Sequence, residues 1–382
     1  MDFEPKVDLH YHLDATSPRT TQRVLRNHDI KVTEKGFENL DIDSLDQIKQ
    51  FCQVQRGVSW EDWYKAHSRV RRAAFVKPEV FYDVAAGAVQ DAEDENLALR
   101  PLRFSSSMAE FCFIAKNGKK PDFNDEEQKK AYLDLLDASI DNLVRGTESE
   151  QHKVTTPLIF SLSCQDKYFK IAGDILDVVL NHKSKVIGLD LTNEQTHRLV
   201  NDYNAIVDSR RDAFRILTIH VGEKPPIYTG FKDGIKQYGI RERISAALEL
   251  EPDGIGHAVF ASADEGAIRL IAENFGGIPM FAVELCPTSN IYLNREFVEQ
   301  VLHGDIASYP FYRFSYGYEI PCTVNTDVPG SVEGVTLKSE FKLLEERCGL
   351  TNLALKKLEN NAREFANHHY KTDLKLLEQN SG

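Results

Sequence analysis

Two histidines, His10 and His12, stand two residues apart in the apolar run 6–13, KVDLHYHL. On a β-strand, residues i and i+2 project to the same face. Both imidazoles therefore share a face with Asp8 and Asp14, and Leu9, Tyr11 and Leu13 take the other. A polar row on a strand that should be buried needs partners. Metal ligation supplies them, since neutral imidazole suits zinc; a pair of hydrogen-bonded structural histidines is the alternative. His220 adds a third imidazole in HVGE at the end of run 215–221, with Glu223 three residues on. Gly222 between them lets the backbone turn or a ligand approach. His257 closes GIGH and Asp327 stands in NTDVP. Each has an ordinary explanation, as a structural histidine or an acid capping a turn, and ELCPTSN at 284–290 reads equally well as a turn.

Position decides among these alternatives. Eight apolar runs, at 6–13, 98–106, 157–164, 185–191, 215–221, 253–259, 279–286 and 320–326, alternate with amphipathic segments such as 124–146, 195–210, 233–250, 263–275, 294–303 and 333–348. Strands alternating with helices read as βα units and a parallel sheet. Eight of them predict an α/β fold, a (β/α)₈ TIM barrel, although Pro101 interrupts the second run and a doubly wound sheet alternates in a similar way. Residues 14–97 form a helical insertion after the first strand, with Pro78 placed to open a helix at 78–94. Residues 115–130 are expected to be an exposed loop, and the tail beyond Leu353 one or two terminal helices. One domain is expected over 1–382. His10, His12, His220, His257 and Asp327 then all fall at carboxyl ends of barrel strands, where barrel active sites are built. Three imidazoles and a carboxylate make a metal site and leave one histidine and Glu223 for acid–base work.

Taken in order, HYHLD, HVGE, GIGH, ELCPTSN and NTDVP resemble the motif series of the adenosine deaminase family: LHxHLDG, HAGE, RIGHG, a CPxSN-type turn and NTDDP. The match runs from residue 5 to about 330. The HxE and PCxxC signature of the other zinc deaminases is absent, and no lysine ends the fourth strand as in a phosphotriesterase-like barrel. The resemblance implies that His10, His12, His220 and Asp327 bind one zinc ion per chain and that Asp327 orients the attacking water. It implies that His257 holds that water and accepts its proton. Glu223 would protonate the purine ring nitrogen beside the amino-bearing carbon, and Asp14 would contact the 5′ end of the sugar. The implied reaction is hydrolytic deamination of an aminopurine nucleoside or nucleotide, adenosine or deoxyadenosine foremost, with release of ammonia.

Departures from the family pattern fall on substrate contacts. Val328 replaces the carboxylate that holds the purine's five-membered ring, and Asn193, in DLTNE, stands where a glycine backbone meets the base. LDG has become Leu13-Asp14-Ala15, and RIGHG has become GIGHA. Valine cannot hydrogen-bond to a base, so a compensating contact is needed, for which Asn193 is one candidate. The alternatives are a 5′-monophosphate substrate, a modified purine or pterin, and a non-enzymatic zinc protein that binds a ligand or partner. For a phosphate, Thr16, Ser17, Arg19, Thr20 and Thr21 cluster after Asp14; their other explanation is a capped helix start.

Composition narrows the partners. Asp+Glu 59 against Lys+Arg 46 gives a net charge of −13, which argues against nonspecific binding to nucleic acid polymers or anionic membranes, since that needs a basic face, and leaves room for a local basic spot for one phosphate. No run approaches the roughly 18 apolar residues of a membrane span, and MDFEPKVDLHYHL has no apolar signal region. Six scattered cysteines without a CxxC pair are expected to be reduced, which points to the cytoplasm.

Overall fold

The computed structural model describes residues 6–148, 153–192, 199–224, 230–232, 235–278 and 280–371. All eight apolar runs contribute to one ring. Seven are parallel strands or contain one: β1 (Leu102–Ser105), β2 (Leu158–Ser163), β3 (Val186–Thr192), β4 (Ile216–Val221), β7 (Gly254–His257), β8 (Ala282–Leu285) and β9 (Cys322–Val324), hydrogen-bonded in that order. Between β4 and β7 lies a short antiparallel hairpin, β5 (Gly230–Lys232) and β6 (Ile235–Gln237). The eighth run closes the ring through parallel bridges of His12 with Arg103 and of Tyr11 with Asp327. Its ladder is broken because Leu9 N donates to the Asn325 side chain (2.8 Å) instead of to a backbone carbonyl. The architecture is a (β/α)₈ TIM barrel, and Pro101 sits just outside β1, where it removes no ladder bond.

Along β4, Ile216, Thr218 and His220 share one face. Ile216 packs with Val7, Leu9, Ile159 and Ala282 against Phe365 of the terminal helix Asn352–Tyr370, which plugs the amino-terminal end of the barrel. Polar side chains (Thr218, Asp190, Glu284 and Arg103) occupy the next level, all fully or almost fully buried. The histidines lie above them.

The insertion carries helices Pro18–Asn27, Leu45–Cys52, Trp60–Ala74 and Val80–Asp94. Ser59 caps the third by accepting from Asp62 N (3.1 Å). Trp63, His67 and Arg71 then recur at i, i+4 and i+8 on one stripe, and that stripe faces the barrel mouth. Two expectations need correction. Helix Ser107–Asn117 and helix Glu126–Thr147 leave only 118–125 of the expected 115–130 loop, because Gly118 ends one helix in a left-handed turn (φ 69°) and Asp125 caps the next. The helix expected over 233–250 starts only at Ile240, with Gly239 as its amino-terminal cap and Glu242 returning to Gly239 N (2.9 Å). Of the segment 195–210, the described part holds the short helices Val200–Tyr203 and Asn204–Asp208.

Candidate active site

His10 and His12 come from the closing segment, His220 from the end of β4, and Asp327 from just beyond β9. Their ligating atoms converge. His12 Nε2 lies 3.2 Å from His10 Nε2 and 3.0 Å from His220 Nε2. Asp327 Oδ1 lies 3.6 Å from His10 Nε2 and 3.7 Å from His12 Nε2. Ligands about 2.0–2.1 Å from a tetrahedral zinc stand about 3.4 Å apart, so the spacing fits such an ion.

The donor chemistry fits as well. Asp190 Oδ1 accepts from His220 Nδ1 (3.0 Å), and Glu284 Oε2 accepts from His10 Nδ1 (2.7 Å). Each carboxylate fixes the proton on Nδ1 and leaves the Nε2 lone pair facing the centre. Burial, reinforced by neighbouring positive charge, pushes His10 well below the usual imidazole range and His12 to about 3. Bare lone pairs at 3.0–3.2 Å repel one another unless a cation lies among them. Burial also opposes charge on His220, but Asp190 outweighs it and raises His220. Burial and the nearby Glu223 push Asp327 up to about 7; a bound cation would reverse that shift.

Arg103 ties the level beneath together. Its Nη2 donates to Glu284 Oε2 (2.7 Å), its Nη1 donates to Leu9 O (2.7 Å), and its Nε lies 3.6 Å from Asp190 Oδ2. Asp190, Glu284 and Arg103 were not singled out from the sequence, where each is a polar residue inside a largely apolar run. Their signal was the same period-2 row that exposed the histidines.

His257 and Glu223 flank the same centre. His257 Nε2 is 3.8 Å from Glu223 Oε1 and 4.0 Å from Asp327 Oδ2. Tyr309 donates to Asn290 Oδ1 (2.9 Å), which turns the Asn290 amide nitrogen toward His257 Nδ1 (3.1 Å). That network places the proton of the neutral ring on Nε2, pointing into the site. Burial keeps the ring neutral, pushing its pKa down to about 4. Asn294 holds the Glu223 carbonyl (2.7 Å). Left-handed backbone recurs here at His257 (φ 64°), Ala258 (φ 51°) and Asp327 (φ 59°), the kind of local strain that clusters at functional sites.

The cleft above is lined by the candidate residues His12, Asp14, His220, Glu223, His257, Asp327 and Val328. Asp14 Oδ2 accepts from Arg71 Nη1 (3.0 Å) and lies 3.7 Å from His67 Nε2. Burial alone would raise this carboxyl, but His67 and Arg71 outweigh it and hold it well below the usual range. Val328 packs in an apolar cluster with Ala15, Trp63 and Leu293. Asn193 lies outside the described residues. The hydroxyls after Asp14 do what a capped helix start requires: Ser17 accepts from Thr20 N (3.2 Å) ahead of Pro18, and Thr20 donates to Asp91 (3.3 Å). None of Thr16, Ser17, Arg19, Thr20 or Thr21 lines the cleft. Among the described residues no helix is long and apolar enough to cross a membrane.

Comparison with known proteins agrees with this geometry. The family model described as adenosine deaminase matches residues 5–380. An adenosine deaminase of Shewanella loihica is 26% identical over 369 residues, covering 95% of this chain and 94% of the relative. Two solved structures share the fold. The apo N6-methyl-AMP deaminase of Arabidopsis thaliana has a TM-score of 0.68 at 18% identity, covering 99% of this chain and 97% of that one. An amidohydrolase of Burkholderia ambifaria with bound Zn has a TM-score of 0.68 at 16% identity, covering 98% and 92%. With the family matched over nearly its whole length and the motif residues gathered around one cleft, the chain belongs to the adenosine deaminase family and is a hydrolytic deaminase.

Proposed function

We propose that the chain removes the exocyclic amino group of an aminopurine nucleoside or nucleotide by hydrolysis, using one zinc ion per chain in a single catalytic domain spanning 1–382. The observation that carries this is the meeting of three Nε2 atoms and the Asp327 carboxylate beside Glu223 and His257 at the floor of one cleft. His10, His12, His220 and Asp327 would hold the metal. Bound there, zinc supplies a Lewis acid that lowers the pKa of water from 15.7 to about 7.

The remaining work belongs to the side chains. Glu223 passes a proton to the ring nitrogen beside the amino-bearing carbon, which makes that carbon electrophilic. His257 holds the attacking oxygen through Nε2–H, the holding half of the role its motif implies. The accepting half falls to a carboxylate, Asp327 Oδ2 being 4.0 Å from that nitrogen. Water adds to the carbon, the carbon–nitrogen bond breaks, and the amino group leaves as ammonia with the transferred protons. Six buried cysteines, all free thiols, fit action in the reducing cytoplasm.

The test is ammonia release by the zinc-loaded protein from adenosine, deoxyadenosine and their 5′-monophosphates, with Glu223→Gln as the blank. The variant is expected to keep its zinc and lose about 10²–10⁴-fold in kcat, the range for a lost general acid. A variant that retains full turnover refutes the proton-donor role, and a wild type that releases no ammonia from any of the four refutes this substrate class.

A further inference from the structure

One wall of the cleft takes no part in the deamination chemistry. Helix Trp60–Ala74 brings Arg71 to it, the end of β1 brings Ser105, and the first residue of helix Ser107–Asn117 brings Ser107. Arg71 is 5% exposed. Its guanidinium lies 5.4 Å from the centroids of both the Tyr64 and Phe111 rings. Bonds from Nη1 to Asp14 Oδ2 (3.0 Å) and Ser107 Oγ (3.5 Å) and from Nη2 to Ser68 Oγ (3.3 Å) fix its orientation. Its Nε–H finds no acceptor among the described residues. Ser105 Oγ and Ser107 Oγ are 2.6 Å apart; one hydroxyl hydrogen makes that bond, and the other is left to point elsewhere. Gln165 also lines the cleft.

Buried donors left unpaired are costly, and a rigid guanidinium matches the oxygens of a phosphate or carboxylate. Arg71 Nη1 binds Asp14 Oδ2 (3.0 Å), and Asp14 is the residue that the motif resemblance assigns to the 5′ end of the sugar, so on that assignment Arg71 stands beside the 5′ substituent. The base end is consistent with this: the Val328 side chain sits among Ala15, Trp63 and Leu293 and offers the base no hydrogen bond, so a contact at the 5′ end would add to the orientation that Glu223 gives.

We propose that Arg71, with Ser105 and Ser107, forms a subsite for an anionic oxygen group at the 5′ end of the substrate, a phosphate or a carboxylate. This rests on the deaminase reading of the site, and the subsite selects nucleoside 5′-monophosphates or 5′-carboxylates over the neutral nucleosides.

The test combines binding with turnover. Calorimetric titration of the zinc-loaded protein with IMP, inosine and inosine-5′-carboxylate reads the subsite without chemistry, and kcat/KM for AMP and adenosine reads it with chemistry. IMP is expected to bind at least tenfold more tightly than inosine, with the carboxylate showing whether phosphate geometry is required. Arg71→Gln is expected to cut the IMP-to-inosine ratio about 10- to 100-fold, the value of a charge-assisted bond, and Arg71→Lys to restore part of it. Ser107→Ala, which leaves the Arg71–Asp14 pair in place, is expected to lower the same ratio if Arg71→Gln does not fold. Equal binding of IMP and inosine by the wild type, or a ratio that no variant moves, overturns the subsite. Ammonia release from adenosine with no preference for AMP defeats the subsite and leaves the deaminase standing. Preferential IMP binding without ammonia release from any substrate supports the subsite and defeats the deaminase reading.

Discussion

Replacing Asp190 by Asn perturbs the centre without touching a proposed ligand. Asp190 is fully buried and every neighbour of its carboxylate is a donor. Oδ1 accepts from His220 Nδ1 and Thr218 Oγ1 (both 3.0 Å), and Oδ2 accepts from Ser161 Oγ (2.9 Å) with Arg103 Nε 3.6 Å away. An asparagine must turn its NH₂ toward one of these sets. Turned toward Arg103, it keeps an acceptor for His220 but exchanges a charge-assisted bond of about 1.5–3 kcal/mol for a neutral one of about 0.5–1.5 kcal/mol. A loss of about 1–1.5 kcal/mol corresponds to roughly tenfold in zinc affinity. Turned toward His220, it drives the ring proton to Nε2 and takes away that ligand's lone pair, which carries the loss toward the upper end of the 10–100-fold typical of such outer contacts. The assay is competition for zinc against a chromophoric chelator at fixed pH, with circular dichroism to establish that the variant is folded. A folded Asp190→Asn protein whose zinc affinity lies within about threefold of wild type would refute the orienting role of Asp190 and the tautomer argument with it.

Asn290→Asp reverses the bond to His257: a carboxylate accepts from Nδ1–H and so removes the proton from Nε2. With the wrong tautomer in place, kcat is expected to fall by about 10²-fold or more while zinc content is unchanged; undiminished turnover would show that His257 does not act through Nε2–H. The stability of the protein should also respond to Glu359, 2% exposed on the terminal helix and pushed up to about 7 by burial against the opposing pull of Lys6 and Arg363. The folded state then binds the proton more tightly than the unfolded chain, so stability contributed by this group is complete below about pH 4.5 and is lost as pH rises through about 7. Glu359→Gln is expected to flatten the fall in thermal midpoint between about pH 5 and 8 by removing that proton release. An unchanged pH profile would mean that Glu359 ionises in place without cost.

The proposed ligand set could be read from the chain because strand geometry is short-range. His10 and His12 at i and i+2 must share a face, and His220, His257 and Asp327 close runs that can only be strands of one sheet. The eight-run pattern gave the barrel for the same reason, since period and spacing survive without knowledge of contacts. Boundaries fared less well where a capping residue sets the helix end, as Gly118 and Asp125 do inside the expected loop 115–130 and Gly239 does inside the helix expected over 233–250. The hydroxyl cluster at 16–21 offered two uses, and Pro18 behind Ser17 settled it as a helix start.

What the chain by itself determined is therefore the fold and the candidate residues of the centre, each marked by its place on a strand or just beyond one. Only the tertiary structure decided what surrounds them. Asp190 and Glu284 orient their histidines, Asn290 sets the tautomer of His257, and Arg71 reaches Asp14 from 57 residues away. Each of these depends on two elements meeting in space, and nothing in local periodicity encodes which buried acid faces which ring or which helix stripe covers the mouth of the barrel.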